Sequence, residues 1–124
     1  MTTIDLGSTG LRATKGKGVL RVVLDRPERK NACTIEMYHG IKKAAVVAER
    51  DPEIDVLVIT GSGDWFCVGG EMGGKHEGGA AIDRETDRFD LLPFAEFERC
   101  PKVVLMAING MCQGGGLNMT LMSD

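Results

Sequence analysis

The sequence predicts an α/β fold built on a mostly parallel sheet. Short apolar segments of strand-like composition alternate along the chain with segments of helical periodicity. One of them, at residues 56–60, is a continuous apolar run, which is typical of a parallel strand covered on both faces. Two others, at 65–68 and 103–108, lead into glycine-rich turns. This alternation indicates one α/β unit that spans residues 1–124.

The composition is that of a globular domain. The chain has 124 residues, of which 43% are hydrophobic and 27% charged, and the formal net charge is −3. Charges of both signs are scattered, so we expect no nucleic-acid partner. No signal-peptide pattern and no apolar run of about 20 residues stand out, and we therefore expect a cytoplasmic protein without a membrane span. The four cysteines form no C-x-x-C pair, which predicts free thiols and no metal site.

The first half of the chain predicts one strand and one helix. Residues 1–18 contain four glycines and predict an irregular start. Residues 19–24 are short and β-branched and predict a strand that closes at Pro27. Thr34 is a suitable helix cap, and the helix should end at Asp51, which precedes a proline. Its apolar face is formed by residues at helical spacing, namely Met37, Ile41, Ala44 and Ala48.

The second half predicts two further strands and two helices. Residues 56–60 form the continuous strand, and the short run at 65–68 enters a glycine-rich turn at 69–74. A helix is expected over 89–99, kinked or restarted at Pro93. A strand at 103–108 then leads through the glycines at 114–116 into a final helix near 117–122.

Two strand-to-turn units could therefore present backbone N–H groups to a common point. Consecutive glycines let the backbone approach a ligand closely, and unpaired N–H groups at a helix start suit an anion or a developing oxyanion. The alternative is a turn that merely lets a helix pack tightly on a sheet. The turns fit neither phosphate-binding glycine motif, which disfavours a nucleotide-binding domain.

An ordered set of motifs resembles the crotonase superfamily, the enoyl-CoA hydratase/isomerase family. The matching segments are Leu24-Asp25-Arg26-Pro27-Glu28-Arg29-Lys30-Asn31-Ala32, Val58-Ile59-Thr60-Gly61, Phe66-Cys67-Val68-Gly69-Gly70-Glu71-Met72, Cys100-Pro101-Lys102 and Ile108-Asn109-Gly110 through Gly114-Gly115-Gly116. The resemblance implies a spiral of ββα units, an acyl-CoA thioester substrate, and a homotrimer or hexamer. Coenzyme A would enter as part of the substrate, with no separate cofactor.

The resemblance also implies the residues of the site. The N–H groups of Gly70 and Gly115 would form an oxyanion hole for a thioester enolate. Two segments of the chain would line the coenzyme A site. Their residues are Arg29, Ala32, Cys33, Val68, Gly70, Glu71 and Met72. For Arg29 and Lys30 an equally good interpretation is that they are a solvated charge pair without a role in binding.

At one position the sequence departs from the hydratase pattern. Asn118 stands where hydratases of the family carry a catalytic glutamate, and an amide can orient water but cannot transfer its proton. Hydration of 2-enoyl-CoA is the nearest activity, with Asn118 in the site. The alternatives are another branch (isomerase, dehalogenase, hydrolase or decarboxylase) or an inert CoA-binding protein. His76 could replace the missing base, although a surface histidine is the simpler interpretation.

The end of the sequence shows no helix-stop signal. The last helix reaches Asp124 without a glycine, a proline or a basic last turn. Members of the crotonase superfamily are considerably longer, so we expect residues 1–124 to be the N-terminal part of a truncated crotonase-like domain. Such a piece should leave apolar surface of the 56–60 and 103–108 strands uncovered.

Overall fold

The main sheet is mixed, with its parallel strands in the centre and at one edge. The computed structural model describes residues 1–71 and 93–124. In these residues five strands pair in the order β1-β2-β3-β4-β6. They are β1 (Thr2–Thr3), β2 (Leu11–Gly16), β3 (Val19–Leu24), β4 (Val56–Gly61) and β6 (Val103–Ala107). Two short strands, β5 (Trp65–Cys67) and β7 (Met111–Cys112), form a separate parallel pair.

The sequence-based prediction of an irregular start is wrong. Strand β2 pairs antiparallel with β3 from Leu11↔Leu24 to Gly16↔Val19, and β1 pairs antiparallel with β2. The glycines that suggested a loop lie largely in the connections, where Gly7, Gly10 and Gly18 have positive φ. The other strand pairs of the sheet, β3 with β4 and β4 with β6, are parallel, as predicted.

Helix α1 (Ile35–Arg50) covers one face of the sheet. Its predicted apolar face is confirmed, because Met37, Ile41, Ala44 and Ala48 are all fully buried. They lie in one core with buried strand residues such as Leu20, Leu57 and Ile59. Each such aliphatic side chain stabilises the fold by about 1.5–3 kcal/mol on burial. The Thr34 side chain caps the helix by accepting a hydrogen bond from the Met37 N–H at 3.1 Å.

The opposite face of β4 and β6 is open within the described residues. Val103 and Leu105 of β6 are 45% and 44% exposed, and Val56 and Val58 of β4 are half-buried. Burial therefore alternates along these strands, and the prediction that residues 56–60 are covered on both faces is wrong for the described part of the chain. The expectation of uncovered apolar surface on the two strands agrees with this arrangement.

Two shorter helices complete the described structure. Helix α2 (Phe94–Arg99) starts directly after Pro93 and buries Phe97, and the first part of the helix predicted over 89–99 lies outside the described residues. Helix α3 (Gly115–Leu121) starts inside the glycine run and buries Met119. A 3-10 turn (Pro27–Arg29) follows β3. The described residues contain no helix of the length and apolarity needed to cross a membrane.

Candidate active site

The two glycine-rich turns are in contact. Strands β5 and β7 are parallel neighbours, with Cys67 opposite Cys112, so the turns that follow them emerge at the same edge. A Cβ placed on Gly69 would lie 3.4 Å from the Gly115 nitrogen and 3.5 Å from the Gly114 Cα. Gly69 and Gly114 have φ of +103° and +53°, conformations that favour glycine. The two turns that the sequence singles out are therefore neighbours in the structure.

The N–H groups of Gly70 and Gly115 are free of hydrogen bonds to any described residue. Gly70 forms a parallel bridge with Cys33, in which the Cys33 N–H donates to the Gly69 carbonyl and the Glu71 N–H donates to the Cys33 carbonyl. This pattern turns the Gly70 N–H away from Cys33. Gly115 is the first residue of α3, where an N–H has no partner within the helix. Gly70 is exposed and Gly115 is half-buried.

The three consecutive glycines at the start of α3 are explained by three different local environments. Gly114 supplies the positive φ at the helix cap. A Cβ on Gly115 would lie 2.2 Å from the Tyr38 hydroxyl oxygen. A Cβ on Gly116 would lie 2.6 Å from the Cys67 carbonyl oxygen, so this glycine is required for tight packing on β5. Gly116 is therefore explained by tight packing of the helix on the sheet. Gly115 differs, because its N–H has no partner among the described residues and its Cα faces the Tyr38 hydroxyl.

A cleft of about 350 Å³ opens beside Gly70. It is lined by Glu28, Arg29, Lys30, Ala32, Val68, Gly70 and Glu71. Five of the seven residues implied for coenzyme A therefore share one cleft. The Cys33 side chain, 2% exposed, is buried outside that lining, and Met72 lies outside the described residues.

The cationic side chains of the cleft have partners on the protein. Glu71 accepts from Arg29 and, at 2.7 Å, from Arg26, and these two guanidinium groups lower the pKa of the Glu71 carboxyl. The Lys30 ammonium lies 4.8 Å from the centre of the Trp65 ring, a cation–π distance. Arg29 and Lys30 are both exposed, and each also has a partner on the protein. The two arginines together carry more charge than Glu71.

Two asparagines hold the loop between β4 and β5. Asn31 is fully buried, accepts from the Arg26 N–H at 2.8 Å, and donates to the carbonyls of Ser62 and Trp65 at 3.0 and 2.8 Å. Asn109 accepts from the Gly61 N–H and donates to the carbonyls of Gly63 and Trp65. These two motif residues act on the backbone that positions β5, rather than on the cleft.

The cysteines near the turns are buried or half-buried thiols. The sulfur atoms of Cys33 and Cys67 are 3.6 Å apart, and both residues are buried. The contact with Cys67 and burial raise the pKa of the Cys33 thiol, and burial raises the pKa of Cys112. All four cysteines are free, as predicted. The described residues contain no cluster of three or more metal-ligating His, Cys, Asp or Glu side chains.

Asn118 lies one turn into α3 and is exposed. Its backbone N–H donates to the Gly114 carbonyl at 2.9 Å, which is a regular helical hydrogen bond. Asn118 follows Gly115 by three positions, so the two residues lie on the same side of the helix. The carboxylates that line the cleft are Glu28 and Glu71, and Glu71 is neutralised by its arginines. His39 is exposed on α1, as expected, and His76 lies outside the described residues.

Tyr38 is the residue near the turns that sequence reasoning missed. It is 7% exposed and contacts the positions of both Gly70 and Gly115. A weak signal was available, because the only tyrosine of the sequence directly follows Met37 on the buried side of α1.

The described residues define an α/β protein in which two contacting glycine-rich turns, each with an unpartnered glycine N–H, lie beside a cleft. The family model for enoyl-CoA hydratase/isomerase matches residues 14–124. The chain therefore belongs to the enoyl-CoA hydratase/isomerase family, within the crotonase superfamily.

Known proteins agree with this assignment. The chain is 34% identical over 110 residues to a probable enoyl-CoA hydratase of Mycobacterium tuberculosis, covering 87% of this chain and 42% of that protein. It is 33% identical over 112 residues to the 1,2-epoxyphenylacetyl-CoA isomerase of Escherichia coli, with 87% and 43% covered. A solved enoyl-CoA hydratase/carnithine racemase of Magnetospirillum magneticum superposes with a TM-score of 0.79 at 25% identity, over 98% of this chain and 46% of that one. The chain thus spans about two fifths of the length of these curated relatives, and the crotonase-like fold predicted from the sequence is confirmed.

Proposed function

We propose that the protein is an acyl-CoA enzyme that stabilises a thioester enolate with the N–H groups of Gly70 and Gly115. The observation that carries this proposal is that both groups lack a partner among the described residues and lie on turns in contact with each other. The adjoining cleft, with Arg29 and Lys30 in its lining, suits the phosphates of coenzyme A.

The chemistry follows from where charge develops. When water adds to the β-carbon of a 2-enoyl thioester, or when an α-proton leaves, an electron pair moves onto the thioester oxygen. Two fixed N–H groups stabilise that oxyanion without reorganising, each by about 3–4 kcal/mol in comparable sites. Gly70 and Gly115 are suited to this role because the substrate can approach their backbone closely.

Hydration of a 2-enoyl-CoA is the nearest reaction, with one restriction. Asn118 can hold a water molecule by hydrogen bonds but cannot remove its proton at neutral pH. The proton acceptor must then be another group, and Glu71 is a poor choice because two arginines stabilise its charged form. This favours another branch of the family, or an inert CoA-binding protein, as the second candidate. We further propose the cytoplasmic homotrimer or hexamer that the family resemblance implies.

A thioester panel tests these proposals. The purified protein is incubated with crotonyl-CoA and with branched, cyclic and aromatic acyl-CoAs, and Asn118→Ala is the matched variant. Loss of the conjugated thioester absorbance of crotonyl-CoA supports hydration, and a further loss of rate in Asn118→Ala supports a water-orienting amide. Turnover of another thioester alone moves the reaction to a different branch. Coenzyme A binding without turnover indicates the inert binder, and absence of both contradicts the proposal.

A further inference from the structure

The Tyr38 hydroxyl lies between the two glycine-rich turns. Its oxygen would be 2.2 Å from a Cβ on Gly115 and 3.7 Å from a Cβ on Gly70, so it borders the Cα atoms of both proposed oxyanion donors. Tyr38 belongs to the first turn of α1, whose start is set by the Thr34 cap. A well-anchored helix therefore brings this hydroxyl to the place where the two glycine-rich turns meet.

This hydroxyl has no hydrogen-bond partner among residues 1–71 and 93–124, although the residue is only 7% exposed. The Tyr38 hydroxyl oxygen is not among the fully buried polar atoms, so it is open to solvent and can donate to an acceptor that a bound ligand supplies. The neighbours of the hydroxyl are glycines, which leave room for such a ligand.

The phenol is also in the right protonation state. Burial, followed by the nearby Cys33 and Cys67, raises the pKa of Tyr38. The group therefore stays a neutral O–H across the physiological range, and it can donate a hydrogen bond but does not act as a base.

We propose that Tyr38 is a third hydrogen-bond donor to the thioester oxygen, beside the N–H groups of Gly70 and Gly115. The inference rests on the proposed function, because it requires an acyl-CoA thioester at the two turns. No covalent step is involved: the O–H keeps its proton and shares it with the oxygen on which the enolate charge develops. The interaction is stronger in the transition state than in the bound substrate, so Tyr38 should contribute mainly to kcat.

Infrared spectroscopy of a bound thioester tests the donor directly. The probe is butyryl-CoA with ¹³C at the thioester carbonyl, which has no double bond to hydrate. Hydrogen bonds to the carbonyl oxygen weaken the C=O bond and lower its stretching frequency. Tyr38→Phe keeps the ring and removes only the O–H, and Met37→Leu is the control because it changes the adjacent buried residue with little change of volume.

The expected results separate the two proposals. Butyryl-CoA bound to the parent protein should show a lowered frequency, and Tyr38→Phe should return part of that shift while Met37→Leu keeps it. An unchanged shift in Tyr38→Phe overturns the role of Tyr38 and leaves the Gly70 and Gly115 pair intact. If the parent protein binds butyryl-CoA without any shift, or does not bind it, the oxyanion hole itself is contradicted.

Kinetics and a graded donor complete the test. On whichever thioester the panel identifies as a substrate, Tyr38→Phe should lower kcat on the order of 10²-fold with KM nearly unchanged. A ring that served packing alone would be replaced by phenylalanine without loss. Site-specific 3-fluorotyrosine at position 38, a more acidic phenol of almost the same shape, should lower the carbonyl frequency further. A shift in the opposite direction would contradict hydrogen-bond donation.

Discussion

Gly70 and Gly115 follow parallel strands in similar ways, but they differ in their tolerance of a side chain. A Cβ on Gly70 would meet Tyr38 at 3.7 Å, an ordinary contact, whereas a Cβ on Gly115 would lie 2.2 Å from the hydroxyl oxygen. The difference is set by a single buried side chain, and it can be measured.

We expect Gly115→Ala to lose kcat on the order of 10²-fold, and Gly70→Ala to lose less, through a methyl group that hinders the approach of the thioester without displacing the protein. In Gly115→Ala the methyl group displaces Tyr38 and the start of α3, while an alanine at Gly70 leaves its backbone N–H in place. Steady-state kinetics on the identified thioester, with circular dichroism as a check of folding, measures the contrast. Equal losses in both variants would contradict this account of the two turns.

Asn31 is the polar residue with the strongest structural role near the site. It is fully buried, has φ of +57°, and makes three hydrogen bonds to the backbone. Asn31→Ala should lower the free energy of unfolding by about 2–4 kcal/mol, because backbone groups lose their partners and alanine is strained in this conformation. Urea denaturation measures the change. Asn118→Ala, at an exposed position, should stay within about 0.5 kcal/mol, and a similar effect for both would refute the prediction.

At the scale of elements, α1 connects the N-terminal motif to the site. Its cap at Thr34 sets where the helix begins and so where Tyr38 lies relative to the glycine turns. The helix was also the element that the sequence predicted best, since the cap, the apolar period and the Asp51–Pro52 end all agree with Ile35–Arg50.

Thr34→Ala should cost about 1 kcal/mol of stability, because the Met37 N–H loses its acceptor. Thr34→Ser keeps a hydroxyl oxygen at the same position and should retain most of the stability. Thermal unfolding followed by circular dichroism at 222 nm compares the two variants. Equal midpoints for alanine and serine would mean that the cap contributes nothing.

At the scale of the whole molecule, one ion-pair cluster joins segments that are far apart in sequence. Glu71 follows β5, and Arg26 and Arg29 follow β3, so the cluster ties the two walls of the cleft together. The arginines lower the pKa of Glu71 in the folded protein. The stabilisation that the ion pairs give is therefore complete above the ordinary glutamate pKa of about 4.3, and it is lost as the pH falls through the lowered pKa of the folded state.

Stability of the protein should therefore fall on acidification below about pH 4.3, and Glu71→Gln should flatten this part of the curve. The midpoint of urea unfolding, measured between pH 7 and pH 3, follows the effect. Glu49→Gln is the matched control, since Glu49 is exposed at the end of α1. If Glu71→Gln keeps the slope of the parent protein, the ion pairs do not stabilise the fold.

The sequence by itself determined the helix α1, the strands β3, β4 and β6, and the family. These features are local: a cap, a 3.6-residue period, runs of β-branched residues, and motifs in a fixed order. The same local patterns located Gly70 and Gly115, because strand-to-glycine turns are visible without knowledge of what surrounds them.

Only the tertiary structure decided which groups meet. Residues 1–18 contain glycines that suggest a loop, and they form strands because the edge of β3 offers an antiparallel partner. Arg29, which the family resemblance places in the lining of coenzyme A, is paired with Glu71, 42 residues away. Tyr38 lies beside Gly115, although the two residues are far apart in the sequence. Such contacts depend on how sheet and helices pack, and no local period or propensity encodes them.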